Sequence, residues 1–77
     1  MLLHIGYQNY INSEKIITML DMDTAPVLRI ARTAKDKGKC IDCSKNRKSR
    51  TLLIIDSGHI VLSALTNEAL NRRMEDL

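Results

Sequence analysis

The segment Arg50-Thr51-Leu52-Leu53-Ile54-Ile55-Asp56-Ser57-Gly58-His59-Ile60-Val61-Leu62-Ser63-Ala64-Leu65 decides the fold. Its apolar centre, Leu52 to Ile55, does not alternate with polar residues. That pattern suits a strand covered on both faces. Ser57-Gly58 reads as a two-residue hairpin turn. His59 to Leu65 then returns beside the first strand.

Beyond the hairpin, Thr66 is a suitable N-cap for a last helix, and Glu68 falls in its favourable first turn. Leu70, Met74 and Leu77 share one face of that helix, while Arg72 and Arg73 point elsewhere. Upstream, Cys40-Ile41-Asp42-Cys43 reads as a short strand. A helix is expected before it. Asp23 or Thr24 can accept a backbone N–H at its start, and Pro26 sits where a missing N–H costs nothing. Val27, Ile30, Ala31 and Ala34 recur at helical spacing and form an apolar face. Arg29, Arg32 and Lys35 line another. Gly38 can take positive φ and stop the helix, and Lys35, Lys37 and Lys39 complement its dipole. Lys15 to Leu20 is rich in β-branched residues and reads as a strand. Met1 to Ile5 reads as an edge strand, broken by turn formers from Gly6 to Tyr10. The order is β-β-α-β-β-β-α, a small α+β fold in a single domain spanning residues 1–77. Tyr7 and Tyr10 could stack on a base or supply the core with its only aromatics; the second reading is preferred.

A chain of 77 residues without Phe or Trp builds its core from Ile, Leu, Val, Met and Ala. So small a domain is marginally stable alone and often relies on a disulfide, a metal or a partner subunit. Of these, oligomerisation is expected. No run of about 18 apolar residues exists, so no membrane-spanning helix is expected. No secretory signal is visible, and a cytosolic setting with reduced thiols is expected.

Charge is unevenly spread. Residues 29–50 hold nine cations against Asp36 and Asp42, a net of +7. The rest of the chain has three cations against seven acids, a net of −4. Such clustering is the footprint of a surface that meets a polyanion. Its densest part, Lys45-Asn46-Arg47-Lys48-Ser49-Arg50, looks like a loop, with no apolar residue to pin it to a core. The bland alternative is a solvated basic face.

Catalysis has little support. Cys40 and Cys43 have the C-x-x-C spacing of redox and zinc sites. They follow a helix C-terminus, however, where no dipole would lower a thiol pKa. Zinc would need four ligands, and His4 and His59 are isolated. The carboxylates are scattered, and the three glycines form no phosphate-cradling loop. No catalytic residue, metal or cofactor is expected.

Four ordered segments resemble the RemA-like family, regulators of extracellular matrix genes in bacteria. They are Ile5-Gly6-Tyr7 with Asn9; Ser13 to Ile17 followed by Ala25-Pro26; the basic loop ending at Arg50; and Asp56 to Ala64. The resemblance implies a subunit shaped like LytTR-type DNA-binding domains, assembled into closed rings of about seven or eight copies. It assigns DNA contacts to the positions of Lys15, Arg47, Lys48 and Arg50, and a role in subunit geometry to Pro26. Arg29 and Arg32, on the charged helix face, are further candidate DNA contacts. The chain departs from the family pattern in having Lys15 and Lys48 where arginines are common. Lysine keeps the charge and loses the planar fork. Gln8 stands where glycine is frequent, and the two cysteines lie outside the pattern.

The resulting expectation is a regulator that binds double-stranded DNA as a homo-oligomeric ring, bending or wrapping the duplex. The alternatives are an RNA-binding accessory protein using the same surface and a purely structural oligomer.

Overall fold

The computed structural model describes residues 1–77. Its strands are β1 (Leu2–His4), β2 (Tyr10–Asn12), β3 (Ile16–Asp21), β4 (Cys40–Asp42), β5 (Thr51–Ile55) and β6 (Ile60–Ser63). Its helices are α1 (Ala25–Asp36) and α2 (Asn67–Glu75). The α+β class agrees with the sequence. The strand count is six where five were expected. The extra strand, β2, is only three residues long and too short to show a period. It pairs antiparallel with β1, so the N-terminal strand belongs to a separate two-stranded hairpin rather than to the edge of the main sheet.

The main sheet has the order β3-β5-β6-β4. β5 pairs antiparallel with both β3 and β6, and β4 lies parallel to β6. Central β5 and β6 are therefore covered on both faces, as their unbroken apolar runs require. Residues alternate between the faces. Leu52, Ile60 and Leu62 meet Ala31 and Ala34 of α1 on one face. Leu53 and Val61 meet Leu3 and Ile5 of the N-terminal hairpin and Leu70 of α2 on the other. Each fully buried leucine contributes about 2 kcal/mol by leaving water.

The turn between β5 and β6 has three residues rather than the two expected. The Gly58 N–H closes on the Ile55 carbonyl, and the Ile55 N–H bonds the His59 carbonyl. Gly58, at φ +89°, takes the left-handed conformation that completes the reversal.

Thr24 is the N-cap of α1, but its side chain makes no capping bond. Pro26, second in the helix, fits the first turn without losing a hydrogen bond. At the other end the Gly38 N–H bonds the Lys35 carbonyl, and the Lys39 N–H bonds the Ala34 carbonyl. With Gly38 at φ +69°, this is a Schellman stop. Ala31 and Ala34 are buried because small side chains let α1 approach the sheet closely. Ile30, expected on the same face, is 37% exposed. In α2 the Thr66 hydroxyl accepts the Ala69 N–H at 3.1 Å, the cap its sequence implies.

Candidate nucleic-acid interface

The basic loop joins β4 to β5, and hydrogen bonds fix it at both ends. At its start the Asp42 carboxylate accepts the Ser44 N–H at 2.9 Å and also the Ser44 hydroxyl. Ser44 is buried. The Ser44 hydroxyl bond is the main cause holding the Asp42 carboxyl below the usual aspartate range. Next comes a tight turn. The Arg47 N–H bonds the Ser44 carbonyl at 3.0 Å, with Lys45 at φ +52° and Asn46 at φ +64°. Two central residues at positive φ are the mark of a type I′ turn. At the loop's end the Arg50 N–H bonds the Ser63 carbonyl, and the Arg50 carbonyl accepts the Met22 N–H. Hydrogen bonds from the Asp42 carboxylate and from the backbone thus anchor a loop that has no apolar side chain to do so.

A second turn of the same kind faces it. The Asn9 N–H bonds the Gly6 carbonyl at 3.0 Å, with Tyr7 at φ +52° and Gln8 at φ +61°. The Lys45 ammonium lies 5.5 Å from the centre of the Tyr7 ring, within cation–π range. Tyr7 and Tyr10 are 42% and 59% exposed, so they are not the core aromatics the sequence suggested. Tyr10 instead lies against the His4 ring at 5.0 Å. Of the five residues at positive φ in these turns, Gly6, Tyr7, Gln8, Lys45 and Asn46, only Gly6 and Asn46 are types that favour it. Left-handed backbone at the others costs about 1 kcal/mol each and concentrates at functional sites.

Between the two turns and α2 lies a cleft of about 610 Å³. Arg47, Lys48, Arg50 and Arg73 line it, with His4 and Tyr7. No carboxylate does. Beside it is a smaller groove in which Asp21, Asp23 and Glu68 face Lys48 and Arg50. Lys48 and Arg50 therefore border both grooves. Even so, the molecule's one ion pair is elsewhere, between Lys15 and Asp56 at 3.6 Å.

Lys15 is not brought to the cleft. It precedes β3, and its carbonyl accepts the Asp56 N–H at the far end of β5 from Arg50. Six strand positions, roughly 20 Å, separate those ends. Arg29 and Arg32 lie on α1, which packs against the opposite sheet face. Pro26 and Arg29 border a third groove with Lys37 and Lys39, floored by Ile30 and Ile60. Arg73, His4 and Tyr7 were not identified from sequence as members of the cluster. Arg73 sits 23 residues beyond Arg50, and the only signal was its position off the apolar stripe of α2.

The cysteines straddle the sheet. Cys40 packs against the α1 cluster and Cys43 against the hairpin cluster. Both are free thiols. Burial is the first cause raising the pKa of each, so both are protonated at neutral pH. His59 sits in the β5–β6 turn, where its Nδ1 meets the Ser57 hydroxyl at 2.8 Å. No helix is long and apolar enough to cross a membrane.

The RemA-like family model, described as "Extracellular matrix regulatory protein A-like", matches residues 2–74. A relative from Dictyoglomus turgidum is 42% identical over 74 residues, covering 96% of this chain and 87% of its own. One from Pseudothermotoga lettingae is 40% identical over 74 residues, covering 96% and 81%. One from Nitratidesulfovibrio vulgaris is 33% identical over 72 residues, covering 94% and 84%. All three carry the name "Putative regulatory protein". With the match running almost end to end, the chain belongs to the RemA-like family.

Proposed function

We propose that this chain is a DNA-binding transcriptional regulator that acts in the cytoplasm as a ring-shaped, LytTR-like homo-oligomer. The carrying observation is the cleft lined by Arg47, Lys48 and Arg50 with no carboxylate among its walls. Gathering like charges costs free energy that an approaching polyanion offsets. The hydrogen-bonded loop backbone is already ordered, which lowers the entropy cost of binding phosphate. Phosphate contacts position the protein, while bending or wrapping of the duplex supplies indirect readout. Lys15 reaches a different phosphate from the cleft residues because it lies at the other end of β3.

Assembly is supported by apolar surface left uncovered. Leu2 and Ile17 are each 65% exposed, and Ile41 is 52% exposed. β3 and β4 are the edges of the main sheet. The pairing register slips between Ile16 and Thr18, so β3 bulges at Ile17. Repetition around a ring converts weak single contacts into avidity. Pro26, exposed in the first turn of α1, acts on subunit geometry.

The test combines sedimentation with fluorescence anisotropy across a salt series. The expected result is a particle of more than four subunits that prefers duplex DNA to structured RNA and heparin. Its log affinity falls linearly with log salt, at about −0.9 per neutralised phosphate. A monomeric mass at micromolar concentration removes the ring. Preference for RNA moves the protein to another class of regulator.

A further inference from the structure

We propose that Arg73 of α2 is the fourth cation of the cleft and contacts a DNA phosphate beside Arg47, Lys48 and Arg50. The proposal rests on the DNA reading above and adds a residue from outside the basic stretch.

Arg73 reaches this surface through the fold alone. α2 packs on the same sheet face as the N-terminal hairpin, through Leu70 against Leu3 and Ile5. That packing brings Arg73 to the wall opposite the basic loop. Its neighbour Arg72 does not line the cleft. An acidic partner was available one turn along from Arg73, in Asp76, the C-cap of α2. No ion pair forms there, so the guanidinium charge stays uncompensated inside a cluster of like charge.

The fork is also held in place. Arg73 Nη1 donates to the His4 carbonyl at 3.3 Å. On its far side His4 is fixed as well, since its Nε2 accepts the Gln8 N–H at 3.1 Å. The ring rests on Tyr10. One nitrogen of the guanidinium is thus committed to the hairpin. A guanidinium carries five N–H donors, so others remain for a phosphate oxygen. A planar group fixed at one end loses little freedom on binding.

A purely structural brace between α2 and the hairpin would show the same His4 contact. The salt dependence of DNA binding separates the two roles, because a brace neutralises no phosphate. Affinity is measured by anisotropy on the assembled protein from 50 to 300 mM salt, for Arg73→Ala, Arg73→Gln and Arg72→Ala beside Arg47→Ala. Arg73→Gln removes the charge but keeps the side-chain stem, a polar end and good helix propensity, so it reports even if Arg73→Ala loosens the fold. The expected result is a log–log slope flattened by about 0.9 or more for both Arg73 variants, as for Arg47→Ala. Arg72→Ala should change it much less. An unchanged slope in Arg73→Gln overturns the proposal, whatever happens to stability. If Arg47→Ala also leaves affinity and slope untouched, the DNA reading of the cleft falls and Arg73's role falls with it.

Discussion

The two halves of the basic stretch behave differently once folded. Arg29 of α1, with Lys37 and Lys39 at its C-terminal end, borders a groove floored by Ile30 and Ile60. Lys35 and Lys37 also face the negative end of the helix dipole, which favours them locally. The cations after β4 sit instead on a loop fixed by backbone bonds, around a cleft with no carboxylate. α1 covers the Leu52 and Leu62 face, while the loop turns toward the hairpin and α2. One continuous run of charge thus serves two surfaces. Clustering in sequence marks the basic stretch, whereas the sheet decides which of its cations share a surface.

The largest expected effect tests that division directly. Arg47→Ala, present in every subunit of a ring, should lower affinity for every duplex and flatten the salt slope by more than one unit. Arg29→Ala, from the other surface, should do much less. Both variants should keep their fold and mass, because exposed charges contribute little to stability. Equal losses from the two would mean that DNA touches both faces. Loss of assembly in Arg47→Ala, with the slope of any remaining binding unchanged, would make the loop an intersubunit element.

A smaller effect concerns what holds the loop. Removing the Asp42 carboxylate strands the N–H and hydroxyl of buried Ser44. Asp42→Ala should therefore cost about 2 kcal/mol of stability, read from denaturant unfolding. It should also weaken DNA binding by loosening the turn. The folded pKa of Asp42 lies below its unfolded value. Its contribution is therefore complete above the unfolded value, about pH 4. It is lost as pH falls through the folded value. Asp42→Asn should flatten that acid-side decline. A mutant whose stability falls with acid as steeply as the parent's would show that the carboxylate does not anchor the loop.

How much of this was legible follows from where each signal lies. The central hairpin was readable because Leu52–Ile55 and Ile60–Leu62 are unbroken apolar runs. The caps at Thr66 and Gly38 were readable because their chemistry is local. β2 escaped because three residues carry no period, and the paired edge of β1 was lost with it. Tyr7 was misplaced because an aromatic in a small chain invites burial, whereas a tight turn carries it outward. The cleft was half legible: Arg47, Lys48 and Arg50 stand together in sequence, while Arg73 and His4 meet only through packing over 69 positions of chain.

The two facing turns differ in how well their residues suit them. Asn46 tolerates positive φ, while Gln8 at φ +61° does not. Gln8→Gly should stabilise the protein by roughly 0.5–1 kcal/mol, the left-handed cost less glycine's extra unfolded entropy. The turn keeps its bonds, since Gln8 contributes only its backbone N–H to His4. A lower midpoint of thermal unfolding in Gln8→Gly would mean that the Gln8 side chain makes a contact in the assembled particle.

The smallest effect belongs to the strand that runs between the two surfaces. Cys40 of β4 faces the α1 cluster and Cys43, just beyond the strand, the hairpin cluster, so the two thiols lie on opposite sides of the sheet. Both are half-buried and protonated at neutral pH, and each fills the place of a small apolar group. Serine at either position keeps the volume and adds a hydroxyl near water, at a cost of about 1 kcal/mol or less. Cys40→Ser with Cys43→Ser should therefore leave particle mass and DNA affinity largely unchanged. The check is sedimentation, anisotropy and metal content of protein purified without added metal. Stoichiometric zinc in the parent, lost in the double variant together with folding, would overturn this. The two surfaces would then be joined by a metal rather than divided by a strand.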